Sequence, residues 1–180
     1  LSDTTTFIYA GMPFVLKKNV NTSGMKDRLD KIVDLCLSLS KVHVEYKLIV
    51  IGVTKELYTT CIPRHKLALE DNRNILFMGR YSHKDTLMAM KNADFMLNLR
   101  DNNVMNEAGL STKLVESVSV GTPVVMNDIG DTFLYLREGI SGFQLTGQDN
   151  HDVSLLISLC GKSLNERLSL KHNCFQERLF

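Results

Sequence analysis

Short apolar runs alternate along the chain with longer segments in which apolar residues recur every three or four positions. The run Phe7–Ala10 ends at Gly11, and the segment 47–53 contains an unbroken Leu-Ile-Val-Ile run, typical of a strand covered on both faces. Between them, the apolar residues from Leu29 to Leu39 follow the spacing of one helix face. The pattern therefore predicts a strand, an amphipathic helix and a second strand.

The same alternation continues along the rest of the chain. Further strands are predicted at 74–78, 93–99, 122–126 and 142–145. Helices are predicted at 63–69, 83–91, 111–120, 132–137, 149–160 and from Ser163 onward. We therefore expect an α/β fold, a Rossmann-like doubly wound parallel sheet of about six strands with helices on both faces. No repeat or linker divides the chain, so residues 1–180 are expected to form a single domain.

Composition narrows the classes of function. The net charge is +1 and there is no block of like charges, which argues against a nucleic-acid partner. The four cysteines are scattered and lack the spacing of a metal or redox site, so a cytoplasmic location is expected. No apolar run approaches the length of a membrane span. The five histidines are expected to be surface or capping residues.

The strongest chemical signal lies at the start of the predicted helix 111–120. Gly109 precedes Ser111, so the first backbone N–H groups of the helix point out of its end, where the helix dipole also favours an anion. Lys113 in the first turn can add a charge-assisted contact to a phosphate, and the carboxylate of Glu116 can accept both hydroxyls of a ribose. Local chemistry leaves the alternative open that Ser111 only caps the helix and Glu116 is solvated.

From Glu116 to Val125 the chain reads Glu-Ser-Val-Ser-Val-Gly-Thr-Pro-Val-Val, which resembles the signature of the retaining GT-B glycosyltransferases called group 1, or family 4. That signature has two spaced glutamates, and Glu116 takes the place of the second, which binds the donor ribose. The first, which contacts the donor sugar, falls on Ala108. Glu107 is adjacent but is expected to point differently. The Thr-Lys pair before Leu114 resembles a bacterial polysaccharide subgroup.

The resemblance extends over nearly the whole chain. Gly11 matches the glycine loop after the family's first strand, and Lys26 matches the lysine that, with an arginine, holds the donor diphosphate. Lys17 or Lys18 would replace that arginine. The turn at Gly79 resembles the loop that contacts the nucleobase. The resemblance thus implies these donor-binding residues: Gly11, Lys26, Gly79, Arg80, Glu107, Gly109, Leu110, Ser111, Thr112, Lys113, Leu114 and Glu116.

The resemblance also implies an activity, which is transfer of a sugar from a UDP- or GDP-linked donor with retention at the anomeric carbon. It implies no cofactor and no metal ion, and a role in polysaccharide or glycoconjugate synthesis. The chain would be the donor-binding half, and the acceptor-binding N-terminal domain is absent from it. We assign no catalytic residue here, and we expect weak nucleotide binding with little or no sugar transfer. Any peripheral membrane association, at the inner face, is expected only through a full-length protein.

Two other classes of function stay open. A sugar-nucleotide 2-epimerase-like domain shares the fold but would need further catalytic carboxylates and histidines across the cleft. A non-catalytic α/β interaction module would not bind a nucleotide. A receiver-like module would also need clustered aspartates after its first strand, where this chain has Gly-Met-Pro. Nucleotide binding by the folded chain therefore separates the module from the two enzymes.

Overall fold

A six-stranded parallel sheet forms the centre of the computed structural model, which describes residues 3–14 and 25–179. The strands are β1 (Thr5–Ala10), β2 (Tyr46–Ile51), β3 (Ile75–Gly79), β4 (Phe95–Asn98), β5 (Val124–Asn127) and β6 (Gly142–Leu145). Their order is β3-β2-β1-β4-β5-β6, and every neighbouring pair is parallel. This is the Rossmann-like doubly wound sheet that the sequence predicts.

Helices cover both faces of the sheet. They are α1 (Leu29–Lys41), α2 (Lys55–Cys61), α3 (Lys66–Glu70), α4 (His83–Asn92), α5 (Val104–Glu107), α6 (Thr112–Ser119), α7 (Asp149–Cys160) and α8 (Leu164–Gln176). Short 3-10 helices lie at Pro63–His65 and Gly130–Leu134. Helices α1, α2, α3 and α7 share one core with Phe7 and Tyr9 of β1. Helices α4, α6 and α8 share the other with Ile8 and Ala10, as the alternation of side chains along a strand requires.

Two helices were not predicted from the sequence. Helix α2 buries only Tyr58, so it carries no apolar stripe, and its start depends on the Thr54 side chain accepting a hydrogen bond from the Leu57 N–H at 3.2 Å. Helix α5 is a single turn between β4 and α6. It begins after Asn103, whose side chain accepts from the Asn106 N–H at 3.0 Å. Both helices are held by local caps rather than by periodic burial.

The expectation that the histidines are surface or capping residues is wrong for His65. Only 3% of its surface is exposed. Its Nδ1 lies 2.7 Å from the hydroxyl of Tyr58, and its Nε2 lies 2.8 Å from the carboxylate of Asp34. Because both ring nitrogens have partners, the imidazole is buried without leaving a polar atom unsatisfied.

A buried ion pair joins α8 to the start of β4. The Nε of Arg167 lies 3.1 Å from Asp94, and both side chains are 1% exposed. The second carboxylate oxygen of Asp94 accepts from the backbone N–H of Thr6 at 2.8 Å. The two central strands and the last helix are therefore fastened through one carboxylate. Within the described residues, no helix is long and apolar enough to cross a membrane.

Candidate functional site

The strand order fixes where a ligand is expected. From β1 the chain runs outward through β2 to β3, and from β4 it runs the opposite way, so the loops after β1 and β4 diverge. In open α/β sheets, ligands bind in the crevice at this position, beyond the carboxyl ends of the strands. A cleft of about 320 Å³ lies there and is called the switch-point cleft below. It is lined by Ala10, Gly11, Met12, Ile51, Gly52, Arg80, Tyr81, Thr86, Met90, Thr112, Lys113 and Glu116.

Two glycines at the ends of β1 and β2 make the floor of the cleft. A Cβ on Gly11 would lie 2.6 Å from Cε of Lys113, so the lysine side chain crosses the strand end in direct contact with the backbone. Gly52 has φ +109°, and a Cβ there would lie 2.3 Å from the carbonyl oxygen of Gly11. The close packing of these two strand ends therefore depends on glycine at both positions.

Helix α6 points its first turn at the cleft. Ser111 is at the N-cap position, but its side chain does not cap the helix, because its Oγ accepts a hydrogen bond from Asn98 Nδ2 at 2.9 Å. The first N–H groups of a helix have no intrahelical acceptor, and together with the dipole they favour an anion. Thr112 is exposed at this end and lines the cleft. The Ser111 side chain thus provides no acceptor for the first N–H groups of α6, and this is what we call the open start of the helix.

A buried group of charges lies beside Lys113. Its Nζ is 2.6 Å from Oδ2 of Asp27, and Nε of Arg100 is 3.5 Å from Oδ1 of the same carboxylate. The hydroxyl of Tyr9 donates to Asp27 Oδ2 at 3.2 Å. Burial, followed by the charge of Asp27, raises the pKa of Tyr9 well above its usual value. These four residues, the Asp27 cluster, bring two cations to one carboxylate and carry a net positive charge.

Arg28 anchors the segment that carries Asp27. Its backbone N–H donates to the Leu99 carbonyl at 2.7 Å, which ties the start of α1 to the end of β4. Its Nε and Nη2 each donate to Asp30 at 2.8 Å, and its Nη1 donates to Asp101 at 2.8 Å. Burial is the largest single effect and would raise the pKa of Asp30, but the hydrogen bonds and charges of Arg28 and Arg64 together outweigh it and lower that pKa to about 2. The residue that follows Asp27 is therefore fixed at the start of α1 by one backbone hydrogen bond and by ion pairs.

The far wall of the cleft holds a carboxylate and two longer side chains. Glu116 is half-buried on α6, and its Oε1 is 3.9 Å from Nδ1 of the exposed His83. Arg80 and Tyr81 follow β3 on the rim and are exposed. Glu116 lines the cleft, and its role as a ribose-binding residue stays a prediction.

A larger groove of about 840 Å³ runs along the outer surface of α1. Its lining includes charges that already pair with each other, such as Arg64 Nη2 and Asp34 at 2.7 Å. It shares no lining residue with the switch-point cleft, which lies where the β1 and β4 loops diverge, so we regard the smaller cleft as the candidate site.

Residues 19–173 match the family model described as Glycosyl transferases group 1. The chain belongs to this family. No curated protein is significantly similar to it in sequence. Among solved structures, Anabaena HepE in complex with UDP-glucose is similar with a TM-score of 0.69 at 14% identity, over 97% of this chain and 44% of that one. TarM gives a TM-score of 0.67 at 14% identity, over 97% of this chain and 31% of that one.

A third similar structure is a domain of about the same size. The C-terminal domain of LpcC, a group 1 family protein from Francisella tularensis, gives a TM-score of 0.67 at 13% identity, over 96% of this chain and 83% of that domain. At these identities the likeness shows the fold alone. The group 1 chain described here spans less than half the length of HepE and of TarM.

The structure brings part of the predicted donor site of this group 1 chain together. The predicted residues that line the cleft are Gly11, Arg80, Thr112, Lys113 and Glu116. The other predicted residues do not line it: Lys26, Gly79, Glu107, Gly109, Leu110, Ser111 and Leu114. The calls on Lys17 and Lys18 fall outside the described residues. The predicted residues that line the cleft therefore lie on two loops and one helix.

The predicted residues that do not line the cleft differ in burial and in their contacts. Lys26 is exposed, and its backbone carbonyl accepts from Asn106 Nδ2 at 3.3 Å. The side chain of Leu114 is fully buried in the core, so only its backbone N–H faces the helix end. Glu107 is exposed at the end of α5, and its backbone packs against Gly130. These residues depend on backbone groups or on side-chain movement to reach a ligand in the cleft.

Three residues of the Asp27 cluster were missed as site residues in the sequence: Tyr9, Asp27 and Arg100. The signal for Arg100 was a charged residue directly after an apolar strand, at the strand end where ligands bind. Asp27 and Tyr9 had no comparable signal, because their importance comes from contacts between distant segments. Among the described residues, no group of three or more His, Cys, Asp or Glu side chains is placed to hold a metal ion.

Proposed function

We propose that the chain is the donor-binding half of a retaining glycosyltransferase and that the switch-point cleft takes a UDP- or GDP-linked sugar. One observation carries this proposal. The open start of α6, Lys113 and Glu116 all face a single cleft where the β1 and β4 loops diverge. N–H groups and a lysine suit a diphosphate, and a half-buried carboxylate suits the two hydroxyls of a ribose.

The mechanism that we propose depends on stabilising the leaving group. As the sugar departs, negative charge develops on the diphosphate, and preorganised donors and cations lower the barrier most when they are already in place. The α6 N–H groups and Lys113 are such groups. The side chain of Lys113 is held by its contact with the Gly11 backbone and by Asp27. We assign no base or nucleophile to this chain. Acceptor groups would come from an N-terminal domain, so the isolated chain would transfer little or no sugar.

Several finer points belong to the same proposal. HepE binds UDP-glucose, which favours a uridine nucleotide as the first donor to test. Ala108 stands where the family has its sugar-contacting glutamate, so the sugar preference is left to experiment. We further propose that no metal ion is needed, that the full protein acts in bacterial polysaccharide or glycoconjugate synthesis, and that it works in the cytoplasm.

The test is calorimetric titration of the folded chain with UDP, GDP and ADP. The variant Glu116→Gln removes charged hydrogen bonds to the ribose, so we expect about 10- to 100-fold weaker binding of the preferred nucleotide. The matched control is Glu45→Gln, an exposed carboxylate just before β2, at the opposite edge of the sheet. The variant Lys26→Ala shows how much the exposed Lys26 contributes to nucleotide affinity, apart from the contribution of Lys113. If none of the nucleotides binds saturably, or if Glu116→Gln binds as tightly as the control, the donor site is wrongly assigned.

A further inference from the structure

The carboxylate of Asp27 is shared between a cation that lines the cleft and one that does not. Lys113 contacts Oδ2 at 2.6 Å and lines the switch-point cleft, with 18% of its side chain exposed. Arg100 faces Oδ1 at 3.5 Å, and its side chain is 4% exposed. The cleft therefore meets the cluster through Lys113, while Arg100 stays behind the carboxylate.

The two oxygens of the Asp27 carboxylate differ in their hydrogen bonding. Asp27 Oδ1 and Arg100 Nε are both buried, and neither has a hydrogen-bond partner in the described part of the chain. A buried polar atom without a partner is uncommon and costs free energy, more so when the group is charged. A small movement of Asp27 toward Arg100 would make this missing hydrogen bond. Asp27 is thus paired with Lys113 at the expense of its pairing with Arg100.

We propose that Asp27 is a positioning residue, an internal counterion that holds Lys113 and competes with the donor diphosphate for it. This inference rests on the donor site proposed above. When a phosphate takes Lys113, Arg100 and the Tyr9 hydroxyl remain to hold Asp27. The carboxylate is therefore not left as an unpaired buried charge, whose penalty would otherwise oppose binding.

The arrangement limits how tightly the cleft holds a nucleoside diphosphate. Asp27 repels an incoming anion and also neutralises the lysine that would attract it, so both effects weaken binding of the phosphates. Neither effect acts on the nucleoside, which has no charge. The two parts of the ligand should therefore respond differently when Asp27 loses its charge.

The test compares Asp27→Asn with the wild-type chain for three ligands: UDP, inorganic pyrophosphate and uridine. We expect the variant to bind UDP and pyrophosphate about tenfold more tightly, which corresponds to about 1.4 kcal/mol, and uridine with unchanged affinity. The control Asp71→Asn makes the same charge change at an exposed position after α3 and should alter none of the three. In a Lys113→Met background, the gain from Asp27→Asn should be much smaller, since the lysine is the group for which the carboxylate competes.

The outcomes separate this inference from the proposed function. If the wild-type chain binds UDP but Asp27→Asn binds it no more tightly, the counterion role is overturned and the donor site stands. If the wild-type chain binds neither UDP nor pyrophosphate, the donor site itself fails and the inference falls with it. Should the variant not fold, the ¹³C resonance of the wild-type Asp27 carboxyl decides. It shifts on addition of pyrophosphate if Lys113 changes partner and stays fixed if Asp27 has no such role.

Discussion

The buried carboxylate of Asp30 gives the chain a stability that depends on pH. Its side chain is 0% exposed and pairs with Arg28 at 2.8 Å and with Arg64 at 3.2 Å. Burial is the largest single effect and opposes its ionisation, but the hydrogen bonds and charges of Arg28 and Arg64 together prevail and lower the pKa from 3.8 to about 2. The variant Asp30→Asn removes this charge and keeps the shape of the side chain.

The magnitude follows from the difference between the two pKa values. At about 1.4 kcal/mol for each pH unit, a pKa lowered from 3.8 to about 2 stabilises the folded state by about 2 to 3 kcal/mol at neutral pH. Because the folded-state pKa is the lower one, this stability is fully present above about pH 4. It is lost as the pH falls through about 2. Asp30→Asn should lose the same amount at pH 7 and lack this part of the acid sensitivity.

Urea unfolding at pH 7 and near pH 2, followed by circular dichroism, measures this directly. We expect the midpoint of Asp30→Asn at pH 7 to fall by about 1 M, for a slope of about 2 to 3 kcal/mol/M. The control Asp101→Asn removes a partner of the same arginine, but its carboxylate is 38% exposed, so the expected loss is below about 1 kcal/mol. The reasoning is refuted if wild type and Asp30→Asn differ by as much near pH 2 as at pH 7.

Three further outcomes are expected. Gly11→Ala would put a Cβ 2.6 Å from Cε of Lys113, so the lysine side chain must move. We therefore expect calorimetry to show UDP binding at least about tenfold more weakly. Unchanged affinity would contradict this packing. Burial raises the pKa of the partly exposed Cys61, and it raises the pKa values of Cys160 and Cys174 to about 12, so a thiol reagent at pH 8 should modify Cys61 first in the folded chain. Arg167→Met leaves its buried carboxylate partner unpaired and should destabilise the chain by about 3 to 5 kcal/mol in urea unfolding; a loss below about 1 kcal/mol would show that the pair is dispensable.

The fold was predictable because its strands are continuous apolar runs and its longer helices carry apolar stripes. The Leu-Ile-Val-Ile run became β2, and the spacing from Leu29 to Leu39 became α1. Helix α2 escaped prediction because it buries only Tyr58 and so leaves no periodic signal. Burial of His65 was not predicted for a related reason. One of its partners, Tyr58, lies seven residues away, and the other, Asp34, lies on a different helix.

The candidate site was predictable where function depends on a local motif. Lys113 and Glu116 are one turn apart on a helix whose glycine-preceded start is visible in the sequence, and both line the cleft. The Asp27 cluster was not predictable, because Asp27 and Lys113 are 86 positions apart and meet only through the strand order. Lys26, which a motif match favoured, is exposed and does not line the cleft, whereas the neighbouring Asp27 is buried and pairs with Lys113, which does line it.

The central position of β1 has a consequence for synthesis of the chain on the ribosome. The strands β1, β2 and β3 are complete by Gly79 and can pair with one another, but the other edge of β1 stays open until β4 has emerged. An open strand edge next to apolar side chains invites association with other chains, so this is the interval in which a chaperone would help most. A nucleotide would not protect this intermediate, because Lys113 and Glu116 are translated after β4. Ligand-dependent folding is therefore expected only for nascent chains that extend past α6.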